Sequence, residues 1–233
     1  MTTTKRNESQ GIPLPPLGRW LNKSGNSAEE LRERMLSGQI IARGIDATRT
    51  IEAMCSVPRH AFLPEHSLKA AYRDRPQRIG HGQTISQPYI IALMTSQLEE
   101  LPRDSRILEI GSGCGYQTAI LVQMGFEVHA LEIVPELVEH SSEVLRELNL
   151  SPASLACADG RAGLPSTAPF SAVLSAACPI EAPITWIDQL SLGGILVAPI
   201  GTRSDQHLVR MEKDADDVIL TKTLCPVRFV PLV

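Results

Sequence analysis

The stretch that decides the fold is RILEIGSGCGY, residues 106–116. Residues 106–110 form a short apolar run, which is typical of a strand buried on both faces. Three glycines at alternate positions follow, and residues 116–124 have a helical pattern. A glycine-rich turn between a strand and a helix is where nucleotide-like ligands bind in doubly wound sheets. The segment therefore predicts an α/β fold with a ligand site at this turn.

Strand and helix patterns alternate beyond this segment. A helix with Pro135 in its first turn is predicted at 135–148, and another at 184–190. Further strands are predicted at residues 127–132, 154–158, 170–176, 194–199, 206–212, 218–221 and 227–230. Strands joined by helices indicate a doubly wound, mostly parallel, Rossmann-like sheet. The hairpin-like strands after residue 201 indicate an antiparallel addition at one edge.

The chain divides into an N-terminal arm and one domain. Residues 1–27 are rich in proline and polar residues, so we expect a mobile arm. Ser27 and Glu30 have the spacing of a capping box, which predicts a helix start, and a second helix is predicted at 46–55. Residues 28–233 are expected to form a single domain, with a helical subdomain (28–75), a polar loop and helix (76–104), a ligand-binding core (105–200) and C-terminal strands (201–233).

Composition excludes several classes of protein. The 233 residues are 43% hydrophobic and 21% charged, which suits a globular chain. Twenty-two basic and 26 acidic residues give a net charge of −4, so nucleic acid is not the expected partner. There is no apolar run long enough for a membrane span and no secretory signal. The five cysteines are scattered, without Cys-x-x-Cys, and there is no His-Glu-x-x-His, so we expect a cytoplasmic protein without a metal. We also expect a monomer.

The glycine loop, residues 111–115, favours S-adenosyl-L-methionine over a dinucleotide. A dinucleotide fingerprint is Gly-x-Gly-x-x-Gly, but here the third glycine comes one residue early. Glu109 precedes the loop, and a carboxylate suits an ammonium and a sulfonium better than a pyrophosphate. An NAD-dependent oxidoreductase is therefore the weaker alternative. The predicted cofactor-binding residues here are Glu109, Gly111, Ser112, Gly113, Cys114 and Gly115.

Two more acidic residues follow predicted strands. Glu132 lies 21 residues after Gly111, close to the spacing at which an acid meets ribose hydroxyls. Asp159 and Gly160 close the next strand and could contact the adenine amino group. Each alone could be a solvated strand end or a plain turn. Together with Glu109 they strengthen the prediction of a cofactor site. Methyltransferases that act on base amino groups usually carry an Asn/Asp-Pro-Pro-aromatic run after the fourth strand. Residues 174–179 lack this run, which disfavours a nucleic-acid base as acceptor.

A second unusual segment is IGHGQTISQPY, residues 79–89. Composition alone indicates a polar loop before a helix. The segment closely resembles the GQTISQP region of protein-L-isoaspartate O-methyltransferases. Further segments resemble the same family in the same order, over roughly residues 28–232: VPR with Phe62 (57–62), LEIGSGCGY (108–116), DGR (159–161), GG (193–194) and VRFVPL (227–232). We call residues 79–87 the acceptor loop.

The resemblance implies a fold, an activity and site residues. The fold would be that of class I methyltransferases. The activity would be methyl transfer from S-adenosyl-L-methionine to the free α-carboxylate of L-isoaspartyl residues, which starts repair through a succinimide. Ser86 would be the catalytic residue, and Thr84, Ile85 and Ser86 would bind the substrate. His81 is expected to face solvent.

One departure leaves alternatives open. Residues 178–183, CPIEAP, replace the family's usual run with one extra residue, and Ser171 stands where the family has Asp. Segment 175–183 would flank the acceptor pocket. A relative that methylates another peptide carboxylate, or a non-catalytic S-adenosyl-L-methionine-binding module, therefore remain as alternatives.

Overall fold

The computed structural model describes residues 27–233, whose strands form one two-stranded and one seven-stranded sheet. The strands are β1 (Gln77–Arg78), β2 (Thr84–Ile85), β3 (Arg106–Ile110), β4 (Glu127–Glu132), β5 (Ser154–Cys157), β6 (Phe170–Ser175), β7 (Leu190–Thr202), β8 (Asp205–Lys213) and β9 (Ile219–Val227). The predicted N-terminal arm lies outside the described residues, except for Ser27.

The helices cover both faces of the larger sheet. They are α1 (Ala28–Arg34), α2 (Thr48–Ser56), α3 (Leu68–Ala71), α4 (Pro88–Ser96), α5 (Tyr116–Gln123), α6 (Pro135–Glu147) and α7 (Ile184–Asp188). Helix α1 begins with the predicted capping box, in which Ser27 and Glu30 bond each other's backbone N–H. Helix α6 carries Pro135 in its first turn, where a missing N–H costs nothing.

The order of the seven strands is β5-β4-β3-β6-β7-β8-β9. The first five in this order are parallel, and β8 and β9 add to β7 in antiparallel fashion. The predicted fold class is therefore confirmed. The chain moves outward from β3 to β5 and then returns to β6, so strand order reverses between β3 and β6. Ligands bind at the carboxyl ends of the strands at such a reversal.

The core explains why β3 is buried along almost its whole length. Ile107 belongs to a hydrophobic cluster that includes residues of α1, α2, α4 and α5, whereas its neighbour Leu108 belongs to a cluster around Trp186. Successive residues of a strand point to opposite faces, so both faces of β3 are buried.

Two expectations about secondary structure were wrong. In place of the separate strands predicted at 218–221 and 227–230 there is one strand, β9, which pairs with β8 from Lys213–Ile219 to Gln206–Val227. Residues 228–230 lie outside any strand. Strand β8 offers a partner along its whole length, and Pro226 is tolerated because β9 is an edge strand. Strand β7 is also longer than the predicted 194–199, because β8 pairs with it as far as Thr202.

Candidate active site

The glycine loop connects β3 to α5 and requires glycine for its shape. Gly111, Gly113 and Gly115 have φ angles of 77°, 55° and 88°, a region that other residues rarely adopt. A Cβ atom at Gly113 would lie 3.1 Å from the Ile79 side chain, and one at Gly115 would lie 3.0 Å from Ser141 Cβ. The loop backbone therefore lies directly against the start of the acceptor loop.

Glu132 is held at the end of β4 by three backbone N–H groups. Its Oε2 accepts a hydrogen bond from Gly113 N at 2.8 Å, and its Oε1 accepts from Ile133 N at 2.9 Å and Val134 N at 3.0 Å. A carboxylate offers about four acceptor positions, so roughly one remains for a ligand. This residue ties the glycine loop in a fixed position to the two residues that precede α6.

Glu109 is in a different environment, although it also lies near the end of a strand. It is completely buried, and the Thr118 hydroxyl donates to its Oε2 at 2.6 Å, while Oε1 has no partner. Burial raises the pKa of Glu109 to about 7, opposed by the Thr118 hydrogen bond and assisted by the charge of Glu132. The Glu109 carboxyl group, next to the glycine loop in the chain, therefore has one hydrogen bond to offset a buried negative charge.

Asp159 and Gly160 follow β5 and differ in what they face. Arg161 binds the Asp159 carboxylate through its side chain, at 2.6 Å from Nη2, and through its backbone N–H. These hydrogen bonds lower the pKa of Asp159. At Gly160 a Cβ atom would lie 2.4 Å from Ile110 Cγ2, so no side chain fits there. Because Arg161 already binds the Asp159 carboxylate, the predicted contact with an adenine amino group would have to compete with Arg161.

Ser112 and Cys114 complete the glycine loop. Both are buried, and the Ser112 hydroxyl has no hydrogen-bond partner. Burial raises the pKa of the Cys114 thiol to about 11, so it remains protonated at neutral pH. Cys114 is consequently a packing residue rather than a nucleophile.

The acceptor loop begins with a tight turn, residues 79–83, that connects two short strands. Gln77 and Arg78 of β1 pair with Ile85 and Thr84 of β2, and the turn between them contains three residues with positive φ. One of these is His81, which is largely exposed and lies 4.0 Å from Glu136, in agreement with the solvent-facing position expected for it. The loop leads directly from β2 through residue 86 into α4.

Several of the predicted site residues line three adjoining cavities. The strand-end cleft, of about 570 Å³, is formed by the acceptor loop, the ends of β4, β5 and β6 and the last residues of the chain; its lining includes Gln83, Thr84, Gly111, Gly113, Glu132, Gly160 and residues 230–233. The inter-loop cavity, of about 390 Å³, lies between the two loops and is lined by Thr84, Ile85, Ser86, Ser112, Cys114 and Tyr116, among others.

A third cavity of about 470 Å³ lies on the other side of Ser86. Its lining comprises Ser86, Gln87, Pro76, Ile90 and residues 226–229. Ser86 thus separates the inter-loop cavity from a groove beside the C-terminal segment.

The C-terminal segment is fixed against the loop after β6. Cys178 N donates to Val230 O at 2.8 Å, and Leu232 N donates to Cys178 O at 2.9 Å. The Gln206 side chain holds Phe229, accepting from its N–H at 2.6 Å and donating to its carbonyl at 3.3 Å. These bonds place the end of the chain at the strand-end cleft, which is also lined by Ala176 and Ala177 of segment 175–183.

Some relevant residues escaped sequence reasoning. Gln206 lies in an ordinary strand pattern, and Arg59 was noted only as part of a family segment. Neither had a local signal for its role, since both act on backbone groups more than 20 residues away.

Two further findings concern the described part of the chain. Within residues 27–233, no three His, Cys, Asp or Glu side chains are grouped so that they could hold a metal ion. Over the same residues, no helix has the length and apolar character needed to cross a membrane.

Comparisons with known proteins agree with the geometry of the site. Residues 30–233 match the family model "Protein-L-isoaspartate(D-aspartate) O-methyltransferase (PCMT)". The protein-L-isoaspartate O-methyltransferase of Gloeobacter violaceus is 43% identical over 199 residues, which are 85% of this chain and 96% of that one. The enzyme of the same name from Opitutus terrae is 44% identical over 200 residues, 86% of this chain and 85% of that one.

A solved structure supports the same assignment. It is described as a protein-L-isoaspartate O-methyltransferase from Plasmodium falciparum in complex with S-adenosyl-L-homocysteine. The two chains are 28% identical with a TM-score of 0.76, and the match covers 90% of this chain and 99% of that chain. This chain belongs to the protein-L-isoaspartate(D-aspartate) O-methyltransferase family.

Proposed function

We propose that this protein transfers the methyl group of S-adenosyl-L-methionine to the free α-carboxylate of L-isoaspartyl residues in damaged proteins and peptides. The observation that carries the proposal is the inter-loop cavity, in which residues 84–86 of the acceptor loop meet the glycine loop. A protein that only bound the cofactor would have no need for this second loop. Membership of the family supports the same conclusion.

The strand-end cleft supports S-adenosyl-L-methionine as the methyl donor, which when bound supplies a methyl group on a sulfonium. The similar Plasmodium falciparum structure contains the demethylated form, S-adenosyl-L-homocysteine. Glu132 would accept a hydrogen bond from a ribose hydroxyl with its remaining acceptor position. The glycine loop would hold the methionine portion. Because Glu109 is completely buried, we propose that it acts on the ammonium group through its charge.

The acceptor chemistry explains the residues of the acceptor loop. A carboxylate with a pKa near ~4 is already ionised at neutral pH, so it needs no general base. What the site must provide is alignment, with the acceptor oxygen in line with the methyl–sulfur bond at ~3–3.5 Å. The Ser86 hydroxyl would hold the carboxylate by a hydrogen bond, and Thr84 and Ile85 would form the pocket wall.

The product explains why such methylation repairs proteins. The backbone amide nitrogen on the C-terminal side of the damaged residue attacks the methyl ester carbonyl, and methanol leaves. Water then opens the succinimide, and a fraction of the molecules regains a normal aspartyl residue. Because these steps follow from the ester itself, we assign them to no residue of this protein.

Methyl transfer to a matched pair of peptides tests the proposal. One peptide carries isoaspartate and the other aspartate at the same position, and the donor carries a labelled methyl group. We expect base-labile label on the isoaspartyl peptide alone. Transfer to neither peptide, with S-adenosyl-L-homocysteine still bound by calorimetry, would refute the proposed acceptor and favour another peptide carboxylate. Binding of NADH instead of S-adenosyl-L-homocysteine would refute the cofactor as well.

A further inference from the structure

Arg59 is a completely buried arginine that reaches the acceptor loop. It begins the 3-10 turn Arg59–Phe62 after α2, and none of its surface is exposed. Its Nε donates to the Ala71 carbonyl at 2.8 Å, and its Nη2 donates to the Ser86 carbonyl at 2.7 Å. The guanidinium lies over the Tyr116 ring, 4.9 Å from its centroid. One side chain therefore joins the acceptor loop, the helical segment and the start of α5.

The positive charge of Arg59 has no anionic partner among residues 27–233. Its hydrogen-bond acceptors are two neutral carbonyls, and its Nη1 is buried without a partner. The Tyr116 hydroxyl beside it does not balance this charge, because burial raises the pKa of Tyr116 well above its usual range and the phenol is neutral. Buried charges in proteins are normally paired, because leaving water costs several kcal/mol per ion. Burial accordingly lowers the pKa of the Arg59 guanidinium, although arginine stays protonated.

The uncompensated charge lies directly behind the acceptor site. Ser86 and Tyr116, which both contact Arg59, also line the inter-loop cavity. Since Nη2 lies 2.7 Å from the Ser86 carbonyl oxygen, we take roughly 7 Å as the distance from the guanidinium to a group bound by the Ser86 hydroxyl. At an effective dielectric constant of ~20, a unit negative charge at that distance binds about 50-fold more tightly than a neutral group.

We propose that Arg59 is a positioning residue that makes this site selective for a carboxylate acceptor. It fixes the Ser86 backbone through the carbonyl, and the acceptor carboxylate provides the negative charge that the protein itself lacks. The proposal rests on the function proposed above. It also accounts for product release, since the methyl ester is neutral and loses the attraction that held the carboxylate.

The test compares a peptide bearing the isoaspartyl α-carboxylate with the same peptide bearing an α-carboxamide. Both are titrated by calorimetry into protein saturated with S-adenosyl-L-homocysteine, so that binding is measured without catalysis. In the natural protein we expect the carboxylate to bind about 50-fold more tightly. Equal binding of the two peptides to the natural protein would overturn the proposal without any variant.

Variants separate charge from structure. Arg59→Met should weaken binding of the carboxylate peptide tens of fold and leave the carboxamide peptide nearly unchanged, whereas Arg59→Lys should keep most of the preference. Equal weakening of both peptides by Arg59→Met would mean that Arg59 only supports the loop. Binding of S-adenosyl-L-homocysteine shows whether each variant is folded. If Arg59→Met does not fold, the carboxylate preference of the natural protein and of Arg59→Lys still tests the proposal.

Arg49 provides a matched control. Like Arg59 it donates to backbone carbonyls, three instead of two. It lies 5.1 Å from an aromatic ring centroid, at Phe126, and has an unpartnered buried nitrogen. Its acceptors belong to residues 99, 101 and 124, away from the acceptor loop. Arg49→Met should reduce stability and leave the carboxylate preference intact. Methyl transfer is measured separately, so loss of the proposed activity is distinguishable from loss of the preference.

Discussion

Replacing Glu132 with Gln tests how one side chain supports both the glycine loop and the ligand. The amide keeps one carbonyl oxygen, which can still accept from Ile133 N and Val134 N. Its NH2 group then faces the Gly113 N–H, which loses its 2.8 Å acceptor. Leaving a buried N–H without a partner costs about 1–3 kcal/mol. We therefore expect Glu132→Gln to lower the free energy of unfolding by that amount.

The same substitution should weaken cofactor binding by a separate amount. A hydrogen bond to a charged acceptor contributes about 1.5–3 kcal/mol, so loss of the proposed ribose contact predicts a 10- to 150-fold rise in Kd. Calorimetry with S-adenosyl-L-homocysteine measures the Kd, and urea denaturation measures the unfolding free energy. If the variant loses stability but binds as tightly as the natural protein, Glu132 only holds the loop and the ribose assignment is wrong.

Glu127 is the control for this experiment, because it lies at the opposite end of the same strand. It binds Arg106 and His129 at 3.1 Å and takes no part in the strand-end cleft. Glu127→Gln should leave the Kd for S-adenosyl-L-homocysteine unchanged. A similar loss in both variants would point to the strand as a whole rather than to the ligand contact.

Three further substitutions test other parts of the site. Ser86→Ala should lower kcat for an isoaspartyl peptide while the Kd for S-adenosyl-L-homocysteine, measured by calorimetry, stays the same; equal losses would indicate a folding role. Glu109 has a folded pKa of about 7 against 4.5 for the free group, so only the unfolded state ionises between these pH values and stability falls as pH rises. In urea denaturation without ligand, the unfolding free energy of the natural protein should fall by about 3 kcal/mol between pH 4.5 and 7 because of Glu109, and Glu109→Gln should remove this fall. An equal fall in the variant would contradict the burial argument. Gly160→Ala places a Cβ against Ile110 and should cost about 1–3 kcal/mol in the same assay, unlike Gly38→Ala, where nothing lies within 4 Å of the added Cβ.

Local sequence signals located the parts of the fold that depend on local causes. Strands β3 and β4 begin and end at the predicted residues, because each is a short, mainly buried segment followed directly by a turn. The capping box at Ser27 also has the predicted geometry. The boundaries of β7 and β9 were not predictable in this way, since pairing with β8 extends both strands beyond their own patterns.

The candidate site was predictable only where its residues carry a local pattern. The glycine loop and the acceptor loop have such patterns, and the structure brings them together around one cavity. The clamp of Gln206 on Phe229 and the bond from Arg59 to Ser86 join residues 23 and 27 positions apart. No periodicity or composition reveals that a buried side chain will reach a particular distant carbonyl, so these positions required the fold.

Glu109 and Glu132 show why residue type alone does not assign a role. Both were grouped as acidic strand ends, but Glu132 is the last residue of β4 and meets three backbone N–H groups, whereas Glu109 precedes the end of β3 by one residue. That single position leaves Glu109 inside the core with one hydroxyl donor. A carboxylate needs donors to remain charged in the interior, so a shift of one residue separates a preorganised ligand contact from a buried group that can take up a proton.

The reaction itself explains why so much of this site is buried. An ionised carboxylate needs orientation rather than proton transfer, so the protein must hold the acceptor loop still instead of supplying a titratable base. Arg59 fixes that loop from the side of the core, and Gln206 fixes the C-terminal segment opposite it. Methyl transfer should therefore depend more on these buried contacts than on exposed groups such as His81, and His81→Ala should leave kcat nearly unchanged.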